Sequence, residues 1–482
     1  MIVMKFGGTC VGTGERIASV GRITARVLEE TGSTPVVVVS AMNGVTDSLR
    51  RAASTAGSGD KRTYGLIRGE LEQRHEQAIA DCVTDPERAR ALRADTQTLL
   101  DWFENLCQSI WTLGELTPRG LDAVLGLGER LSARVTAAAM IDQGSKAEAV
   151  EATEVIVTDG NFGNAGPLMD ETRARARARL LPLLEAGVVP VVTGFIGATL
   201  DGVSTTLGRG SSDYSATIIG HCLSADEVWI WSDVDGVMTA DPRIVPDART
   251  LPTISYAEVA ELSYFGARVL HPRTIQPVAQ RGIPVRVLNA FHPERPGTLV
   301  CGEVSEDVLV KGITAIRDLT IITVEGRGMQ GVPGVAGRVF SAVGRSGVSV
   351  LMISQSSSEQ SICFVVRSAD TPVVVDAIER EFEREILRSD IDRIGSQDEV
   401  AIIAAVGAGM KGKPGIAARV FAALADQGIS VISIAQGSSE YNLSLVVAHH
   451  DVDEGVRAIH QQFGLGRIQT QSWPLTQPEG LP

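Results

Sequence analysis

This sequence has few cysteines, no long apolar run and no net positive charge. Six cysteines among 482 residues, none in a C-x-x-C pair, argue against a disulfide scaffold or a zinc site and suit a reducing cytoplasm. No apolar run approaches the roughly 18 residues that span a bilayer, and no basic N-terminal segment precedes a long apolar stretch, as a secretory signal would. A net charge of −14 disfavours nonspecific nucleic-acid binding. We therefore expect a cytoplasmic protein with no nucleic-acid partner and no membrane partner.

The distribution of apolar residues predicts several domains and a mostly parallel sheet. A chain of 482 residues is too long for one ordinary core. Runs of β-branched residues alternate with helical stretches, which is typical of strands buried on both faces of a parallel sheet. The candidate strands lie at 36–39, 155–157, 188–193 and 228–231. Between about 64 and 113 the apolar residues recur at helical spacing among many charges, which predicts a helical insertion.

The first candidate strand leads into a lysine and two glycines, Lys5-Phe6-Gly7-Gly8-Thr9. Glycine lets the backbone approach a ligand closely, and the helical residues that follow bring backbone N–H groups to the same turn. Because Lys5 adds a positive charge there, phosphate is the natural ligand. The spacing matches neither G-x-x-x-x-G-K-[ST] nor G-x-G-x-x-G. A strand–turn–helix that simply buries the lysine stem explains the motif equally well, so both interpretations remain open.

Four further segments resemble site loops, although each could be a solvated turn when taken alone. Residues 40–46 carry small hydroxylated side chains after a strand, and 128–132 begin a helix with the charged pair Glu129-Arg130. Residues 206–215 are rich in glycine and serine, with an arginine suited to carboxylate recognition. Residues 231–243 leave a strand through an acidic turn. Glu129 could simply favour its helix start, and the seven scattered histidines show no pattern typical of metal ligands.

The last third of the chain contains an internal repeat with an offset of 81 residues, taken from Gly331 and Gly412. Residues 326–334 match 407–415, and a Gln-x-Ser-Ser-Glu segment recurs at 355–359 and 436–440. Each copy reads strand, glycine/proline loop, helix, two strands and helix, the order of a ferredoxin-like split βαβ unit. Duplicated packing without a ligand is one interpretation. A repeated polar run at a strand end favours a binding site instead.

Taken together, these segments resemble the aspartokinase branch of the amino-acid kinase family over almost the whole chain. The matching motifs are Lys-Phe-Gly-Gly-Thr at 5–9, Gly-Phe-Ile-Gly at 194–197, Leu-Gly-Arg-Gly-Ser-Ser-Asp-Tyr at 207–214, Val-Asp-Gly-Val-Met-Thr-Ala-Asp-Pro-Arg at 234–243 and Phe-Gly-Ala-Arg-Val-Leu-His-Pro at 265–272. The resemblance implies an α/β fold: a mostly parallel central sheet with helices on both faces, followed by two ferredoxin-like βαββαβ ACT domains. The implied domains are 1–302 (catalytic), 303–390 and 391–470 (ACT), with a tail at 471–482.

The resemblance also implies an activity, transfer of the ATP γ-phosphoryl group to the β-carboxylate of L-aspartate. Mg²⁺ would bridge the phosphates, and no residue is expected to form a metal site. Lys5 and Asp213 would be catalytic. The substrate residues would be Ser40, Thr46, Glu129, Phe195, Arg209, Gly210, Ser211 and Ser212. The ATP residues would be Lys5, Gly7, Gly8, Thr9, Ser232, Asp233, Met238, Arg243 and Arg268. Cys10, Met238 and Arg268 replace the usual serine, tyrosine and lysine of the family, which puts the nucleotide contacts of the last two in doubt.

Regulation by an amino acid is a further implication. The repeated segments are most similar to the kinase portions of threonine-sensitive aspartokinase–homoserine dehydrogenases, so threonine is favoured over lysine as the effector, without an attached dehydrogenase. The effector residues would be Gln355, Ser357, Gln436, Ser438 and Asn442. A homodimer or tetramer joined through the ACT domains is expected. Two alternatives remain: another amino-acid kinase, such as an acetylglutamate or glutamate kinase, and a catalytically inactive amino-acid sensor.

Overall fold

A computed structural model describes residues 1–208, 210–267, 269–302, 304, 308–355, 360–437 and 440–467. The strands of the N-terminal part are β1 (Ile2–Phe6), β2 (Val36–Val39), β3 (Ala147–Val150), β4 (Val189–Thr193), β5 (Ile196–Ala198), β6 (Ser204–Thr206), β7 (Glu227–Ser232), β8 (Thr253–Ser255), β9 (Val285–Asn289) and β10 (Thr298–Cys301). Its helices are α1 (Gly14–Thr31), α2 (Val45–Gly57), α3 (Lys61–Cys82), α4 (Pro86–Leu113), α5 (Pro118–Leu125), α6 (Leu127–Asp142), α7 (Met169–Glu185), α8 (Ser211–Leu223), α9 (Tyr256–Tyr264) and α10 (Pro272–Ala279).

The central sheet has eight strands in the order β3-β4-β2-β1-β7-β9-β10-β8. All neighbours are parallel except β9 and β10, so the predicted mostly parallel sheet is confirmed. The four valines of β2 are completely buried, as expected of a strand covered on both faces. The strand predicted at 155–157 is wrong: Val157 makes only an isolated bridge to Ala198, and β3 at 147–150 is the edge strand instead.

Helices cover both faces of this sheet. On one face α8 packs closely, because a Cβ at Gly220 would lie only 2.6 Å from Val228 Cγ2. Side chains alternate along a strand, so Trp229 and Trp231 of β7 point to the other face. There Trp231 stacks on Phe6 with ring centroids 5.9 Å apart, and α1 contacts α6. Helices α3 and α4 occupy 61–113, with Asp60 and Asp85 accepting hydrogen bonds from the first backbone N–H groups of each helix.

The C-terminal part forms a second, antiparallel sheet. Its strands are β11 (Gly312–Glu325), β12 (Met352–Gln355), β13 (Ser361–Arg367), β14 (Arg393–Val406), β15 (Ser433–Ala435) and β16 (Asn442–Ala448). Its helices are α11 (Val335–Arg345), α12 (Thr371–Glu381), α13 (Glu383–Leu387), α14 (Ile416–Asp426) and α15 (Val452–Gln462). The strand order is β12-β13-β11-β14-β16-β15, and each half has the order 4-1-3-2 of a ferredoxin-like unit.

The two ferredoxin-like units share their long central strands. Residues 319–325 of β11 and 393–397 of β14 belong to the first unit, and 400–406 of β14 belong to the second. The fourth strand of the second unit is the start of β11, where Gly312 pairs with Val406 and Ile316 with Ile402. The repeat is thus interlocked, because a segment that precedes the first unit completes the second.

Helix α9 and the loop after β7 join the N-terminal part to the second ferredoxin-like unit. Glu258 of α9 accepts hydrogen bonds from Lys311 Nζ at 2.9 Å and from the Ala408 N–H at 2.7 Å. Burial raises the pKa of Glu258, but the Ala408 N–H and Lys311 outweigh that effect and hold the pKa below its usual range. Ala240, Val245 and Ala248 of the loop are buried in the core of the second unit. Among the described residues, no helix is both long enough and apolar enough to cross a membrane.

Candidate active site

The candidate site lies at the carboxyl ends of β4, β2, β1 and β7. The chain leaves β1 towards β2 on one side, while β7 pairs with β1 on the other. Open parallel sheets bind ligands where the strand order diverges in this way. The loops that follow these four strands contain Gly7, Gly8, Thr9, Ser40, Phe195 and Asp233, so the topology gathers segments that are far apart in sequence.

The turn after β1 is held tightly against its neighbours. The Gly7 N–H donates to Trp231 O at 3.1 Å, and Gly8 O accepts from the Asn43 N–H at 3.1 Å. A Cβ at Gly8 would lie 2.9 Å from Ala41 O, so only glycine fits this approach without a shift. Arg16 Nη1 donates to Thr9 O at 2.9 Å and fixes the far side of the turn. Gly7, Gly8 and Thr9 therefore form a compact turn at the start of the loop into α1.

Lys5 and Asp213 form an ion pair at this edge of the sheet. Lys5 Nζ lies 2.5 Å from Asp213 Oδ1, and Lys5 is only 8% exposed. Asp213 is in the first turn of α8, where a carboxylate also interacts favourably with the helix dipole. Lys5 Nζ is also 3.5 Å from the position that a Cβ at Gly7 would occupy. The lysine charge is thus directed at the glycine turn and kept there by a single carboxylate.

Glu129, in the first turn of α6, is a buried carboxyl group with an unused oxygen. Its Oε1 accepts from the Ala41 N–H at 3.0 Å, whereas Oε2 has no partner among the described residues. Burial raises the pKa of Glu129 to about 8, against the opposing effects of the Ala41 N–H and the charge of Lys5. The α6 start lies tightly under the 40–46 loop, since a Cβ at Gly128 would be 2.7 Å from Ala41 Cβ. A cationic ligand would satisfy the free oxygen and ionise this group.

The loop after β4 meets the start of α8. A Cβ at Gly194 would lie 2.8 Å from Ser212 Cβ, so the two segments touch. Phe195 adopts a φ of 67°, which is unusual for a residue with a side chain, and its N–H donates to Ser215 Oγ at 3.0 Å. Ser211 Oγ donates to Gly208 O at 2.6 Å. These contacts bring Phe195, Ser211 and Ser212 beside Asp213, with Gly210 exposed at the helix start.

Asp122 is a site-supporting residue that the sequence does not reveal. This buried carboxylate accepts from the Thr206 N–H at 2.8 Å, from Thr206 Oγ1 at 2.7 Å and from the Gly163 N–H at 2.9 Å. Thr206 ends β6 and leads directly into the 207–210 segment. Nothing in the local sequence around Asp122 on α5 marks it, because its partners are more than 40 residues away.

The remaining substrate and nucleotide candidates are spread more widely. Ser40 is partly buried on the loop after β2, and Thr46 is partly buried in the first turn of α2. Ser232 is the last residue of β7, and Asp233 follows it. Arg243 is 81% exposed and forms an ion pair with Asp241 at 2.6 Å, while Met238 packs against the core of the second ferredoxin-like unit. Arg209 and Arg268 lie outside the described residues. The structure therefore gathers Lys5, Gly7 and Asp213 closely, while the contacts described for Met238 and Arg243 are with other residues.

The effector candidates lie at the ends of two edge strands. Gln355 ends β12, Gln436 directly follows β15, and both are exposed. Although β12 and β15 are at opposite edges of the sheet order, they contact each other, so the sheet curls and brings the repeated segments to one region. Asn442 Nδ2 donates to Glu261 Oε2 of α9, so this candidate contacts the N-terminal part. Ser357 and Ser438 lie outside the described residues.

No cluster of three or more metal-ligating side chains occurs among the described residues. A phosphate-bearing ligand would bring anionic oxygens to this edge of the sheet. The Lys5 ammonium and the backbone N–H groups of the glycine turn suit such phosphates.

Comparison with known proteins agrees with this architecture. The amino acid kinase family model matches residues 1–289, and the ACT domain model matches 322–382 and 403–463. Aspartokinase 1 of Arabidopsis thaliana is 33% identical over 479 residues, covering 96% of this chain and 80% of that protein. The crystal structure of E. coli aspartokinase III in complex with aspartate and ADP superposes with a TM-score of 0.81 at 27% identity, covering 96% of this chain and 99% of that one.

The chain belongs to the amino acid kinase family. Within that family, Aspartokinase 1 of Arabidopsis thaliana and E. coli aspartokinase III are both similar to 96% of this chain. Bifunctional aspartokinase/homoserine dehydrogenase 2 of Zea mays is 37% identical over 474 residues, which are 96% of this chain and 51% of that protein. The chain thus spans about half the length of the bifunctional relatives it matches. The family resemblance and the fold predicted from the sequence are both confirmed.

Proposed function

We propose that this protein is an aspartate kinase, which transfers the γ-phosphoryl group of ATP to the β-carboxylate of L-aspartate and forms 4-phospho-L-aspartate. The observation that carries the proposal is Glu129, whose buried Oε2 has no partner among the described residues. A buried carboxyl oxygen without a partner is costly unless a ligand satisfies it. The ammonium group of an amino-acid substrate supplies both the hydrogen bond and the opposite charge.

Lys5 has the role that phosphoryl transfer requires. The transferring phosphoryl group spreads negative charge over its oxygens, and catalysis depends on positioning and charge stabilisation. Lys5 stands between Asp213 and the glycine turn, where it would neutralise that charge. The attacking β-carboxylate is ionised at neutral pH, so no strong general base is needed. Arg209 would bind a substrate carboxylate, and Mg²⁺ would arrive with the ATP phosphates.

The direct test is a hydroxamate assay with aspartate, ATP and Mg²⁺, which detects the acyl phosphate itself. We expect turnover with aspartate and none with Lys5→Ala. Acetylglutamate and glutamate are the matched alternative substrates, and turnover with either of them but not with aspartate would overturn the proposal. An absence of turnover with all three would favour the inactive amino-acid sensor. The structure of aspartokinase III with aspartate and ADP supports aspartate as the first substrate to test.

We also infer feedback regulation by an amino acid at the repeated Gln-x-Ser-Ser-Glu segments, with threonine favoured over lysine. Support comes from the contact between β12 and β15, which brings Gln355 and Gln436 to one region. A relative, E. coli aspartokinase III, has been solved in complex with lysine and aspartate, so lysine is the necessary comparison. Millimolar threonine should lower activity and raise the thermal midpoint, whereas Gln436→Ala should weaken both effects. A response to lysine alone, or to neither amino acid, would contradict this inference.

Assembly through the ACT domains, as a homodimer or tetramer, completes the proposal. The edge strands expose apolar side chains, with Ile353 of β12 49% exposed and Ile434 of β15 45% exposed. Sheet edges with apolar side chains are ready to pair with another chain. Light scattering should give a dimer or tetramer mass, and Ile434→Lys should shift it towards the monomer.

A cytoplasmic location is part of the proposal, supported by the buried thiols of Cys82, Cys107 and Cys222 outside any disulfide.

A further inference from the structure

A cavity of about 480 Å³ lies between α1, the end of β7 and the segment after β9. Its wall combines cationic and aromatic side chains, namely Arg16, Arg22, Arg26, Trp229, Trp231 and Phe291. This volume falls in the range of pockets that hold small organic ligands. None of the substrate or nucleotide candidates that the structure describes is among its lining residues.

The cavity is on the face of the sheet opposite α8. Val228 points towards Gly220 of α8, so Trp229 points away from it, and Trp231 stacks on Phe6 on that same opposite face. The catalytic lysine pairs with Asp213 on the α8 side. A ligand in the cavity would therefore be separated from the Lys5–Asp213 pair by the sheet itself.

The charges of the cavity wall are not balanced internally. Arg26 is neutralised by Glu30 at 2.6 Å. Arg22 donates to Ser19 Oγ at 2.5 Å, and Arg16 donates to Thr9 O and lies 4.8 Å from the centre of the Phe291 ring. Within the described part of the chain, neither Arg16 nor Arg22 has a carboxylate within ion-pair distance. Two unpaired guanidinium groups at one cavity contrast with the chain's net charge of −14.

The aromatic wall adds a preference for a planar group. Trp231 is 2% exposed, and its indole N–H has no acceptor among the described residues. Aromatic rings pack favourably against indole and phenyl faces, and arginine planes also stack on them. A guanidinium binds a carboxylate through two parallel hydrogen bonds. The cavity thus offers complementary surfaces for the two ends of one small molecule.

We propose that this cavity is a second ligand site, which binds a small aromatic carboxylate with the ring beside Phe291, the exposed aromatic side chain of the wall, and the carboxylate at Arg16 and Arg22. Glu15 and Glu30 are the acidic residues of the wall, and neither forms an ion pair with Arg16 or Arg22. The ligand carboxylate supplies the negative charge that these two arginines lack. The lining residues differ from the proposed substrate and nucleotide residues, and Arg16 links the cavity to the glycine turn through its hydrogen bond to Thr9 O.

The test is calorimetric titration of the full chain with indole-3-propionate, in the presence of saturating ADP, Mg²⁺ and aspartate. Indole-3-propionamide is the matched neutral probe, and we expect it to bind at least about tenfold more weakly. Arg22→Gln should weaken indole-3-propionate binding about threefold to tenfold, since it removes one charge from the wall. Arg177→Gln, an exposed arginine on α7, is the control and should leave the affinity unchanged.

Phe291→Ala gives a second line of evidence, because Phe291 is 41% exposed and its removal should leave the core intact. It should weaken binding of the carboxylate as well. Equal affinity for the acid and the amide would reduce the cavity to an apolar crevice and overturn the proposal. So would unchanged affinity in Arg22→Gln, binding that occurs only when ADP and aspartate are left out, or no heat at about 10 mM probe.

Discussion

Lys5 and Asp213 are 208 positions apart in sequence, the difference of their numbers, yet Lys5 Nζ and Asp213 Oδ1 lie 2.5 Å apart at the mouth of the sheet. The pair joins the end of β1 to the first turn of α8. Without a ligand, the carboxylate balances the lysine charge that a phosphoryl group would otherwise attract. The geometry makes Asp213 the residue that holds Lys5 in position.

Asp213→Asn should lower kcat by about 10²-fold, because a displaced Lys5 no longer meets the transferring phosphoryl group. The KM for aspartate should change little. Asp201→Asn is the control, since Asp201 is exposed on a turn, and it should leave kcat as in the wild type. Steady-state kinetics with both substrates varied provides the measurement. An Asp213→Asn enzyme with wild-type kcat would show that Lys5 does not need this partner.

Glu129 predicts a pH dependence of aspartate binding. Its pKa of about 8 leaves the carboxyl group mostly protonated at pH 7, and an ammonium ligand requires the ionised form. The KM for aspartate should therefore fall as pH rises from about 6 to 8, by up to about tenfold per pH unit, and binding should release a proton. Calorimetry in buffers of different ionisation enthalpy measures that proton. Glu129→Gln should abolish both the proton release and the pH dependence.

The same residue predicts a pH effect on stability. Its folded pKa is raised above the ordinary value of 4.5, so the folded protein holds a proton that the unfolded chain has lost. The contribution of Glu129 to stability therefore decreases as pH rises from about 4.5 to 8. Glu129→Gln should gain more stability relative to the wild type at pH 8 than at pH 5. Thermal unfolding at the two pH values tests this, and an equal difference at both would contradict it.

Asp122→Ala should destabilise the protein by about 3 kcal/mol, because the three donors that share the buried carboxylate in the wild type would lose their acceptor. It should also raise the KM for aspartate more than it lowers kcat, since the 207–210 segment loses its support. A purely structural residue would change stability without this KM effect. Asp170→Asn is the control, since that side chain is 92% exposed, and it should change neither quantity.

Lys311→Met should destabilise the protein by about 3 to 5 kcal/mol, since it leaves the fully buried Glu258 without its cation. Glu258→Gln combined with Lys311→Met should recover part of the loss. The exposed pair of Arg93 and Glu76, 2.8 Å apart, is the matched control, and Arg93→Met should cost under about 1 kcal/mol. Chemical denaturation monitored by circular dichroism provides the comparison, and equal losses in the two variants would contradict the prediction.

The Glu258–Lys311 pair also predicts how the stability of the folded protein changes in acid. The pKa of Glu258 is held below 4.5, so the pair stabilises the folded protein above that pH and loses its effect as pH falls through the lowered value. Acid should therefore loosen the contact between α9 and the second ferredoxin-like unit. Hydrogen exchange of the Ala408 N–H, which donates to Glu258, is the local readout.

The sequence predicts the parts of this molecule that depend on local pattern. Continuous apolar runs give β2, β4 and β7, and the glycines after β1 indicate the turn beside Lys5. The run at 155–157 misleads because β-branched residues fill a buried loop as readily as a strand. Whether such an apolar run is buried in a loop or pairs as a strand depends on tertiary contacts, which a short stretch of sequence does not contain.

Long-range partners account for the rest. Asp122 has no local motif, because its donors come from the end of β6 and from the distant loop at Gly163. Asn442 fits the repeated polar pattern of an effector site, yet its side chain donates to Glu261 of α9 in the N-terminal part. The Glu258–Lys311 pair joins residues 53 positions apart, and a glutamate at N3 of a helix is ordinarily read as a capping residue only.

The exchange of the start of β11 into the second ferredoxin-like unit has a consequence for biosynthesis. During translation, residues 312–316 emerge well before the strand at 402–406 with which they pair. Their hydrogen-bonding edge must stay open while the whole first unit is made. The two units thus cannot fold independently, one after the other. A ribosome that stalls between them would leave an unpaired strand that is prone to aggregation.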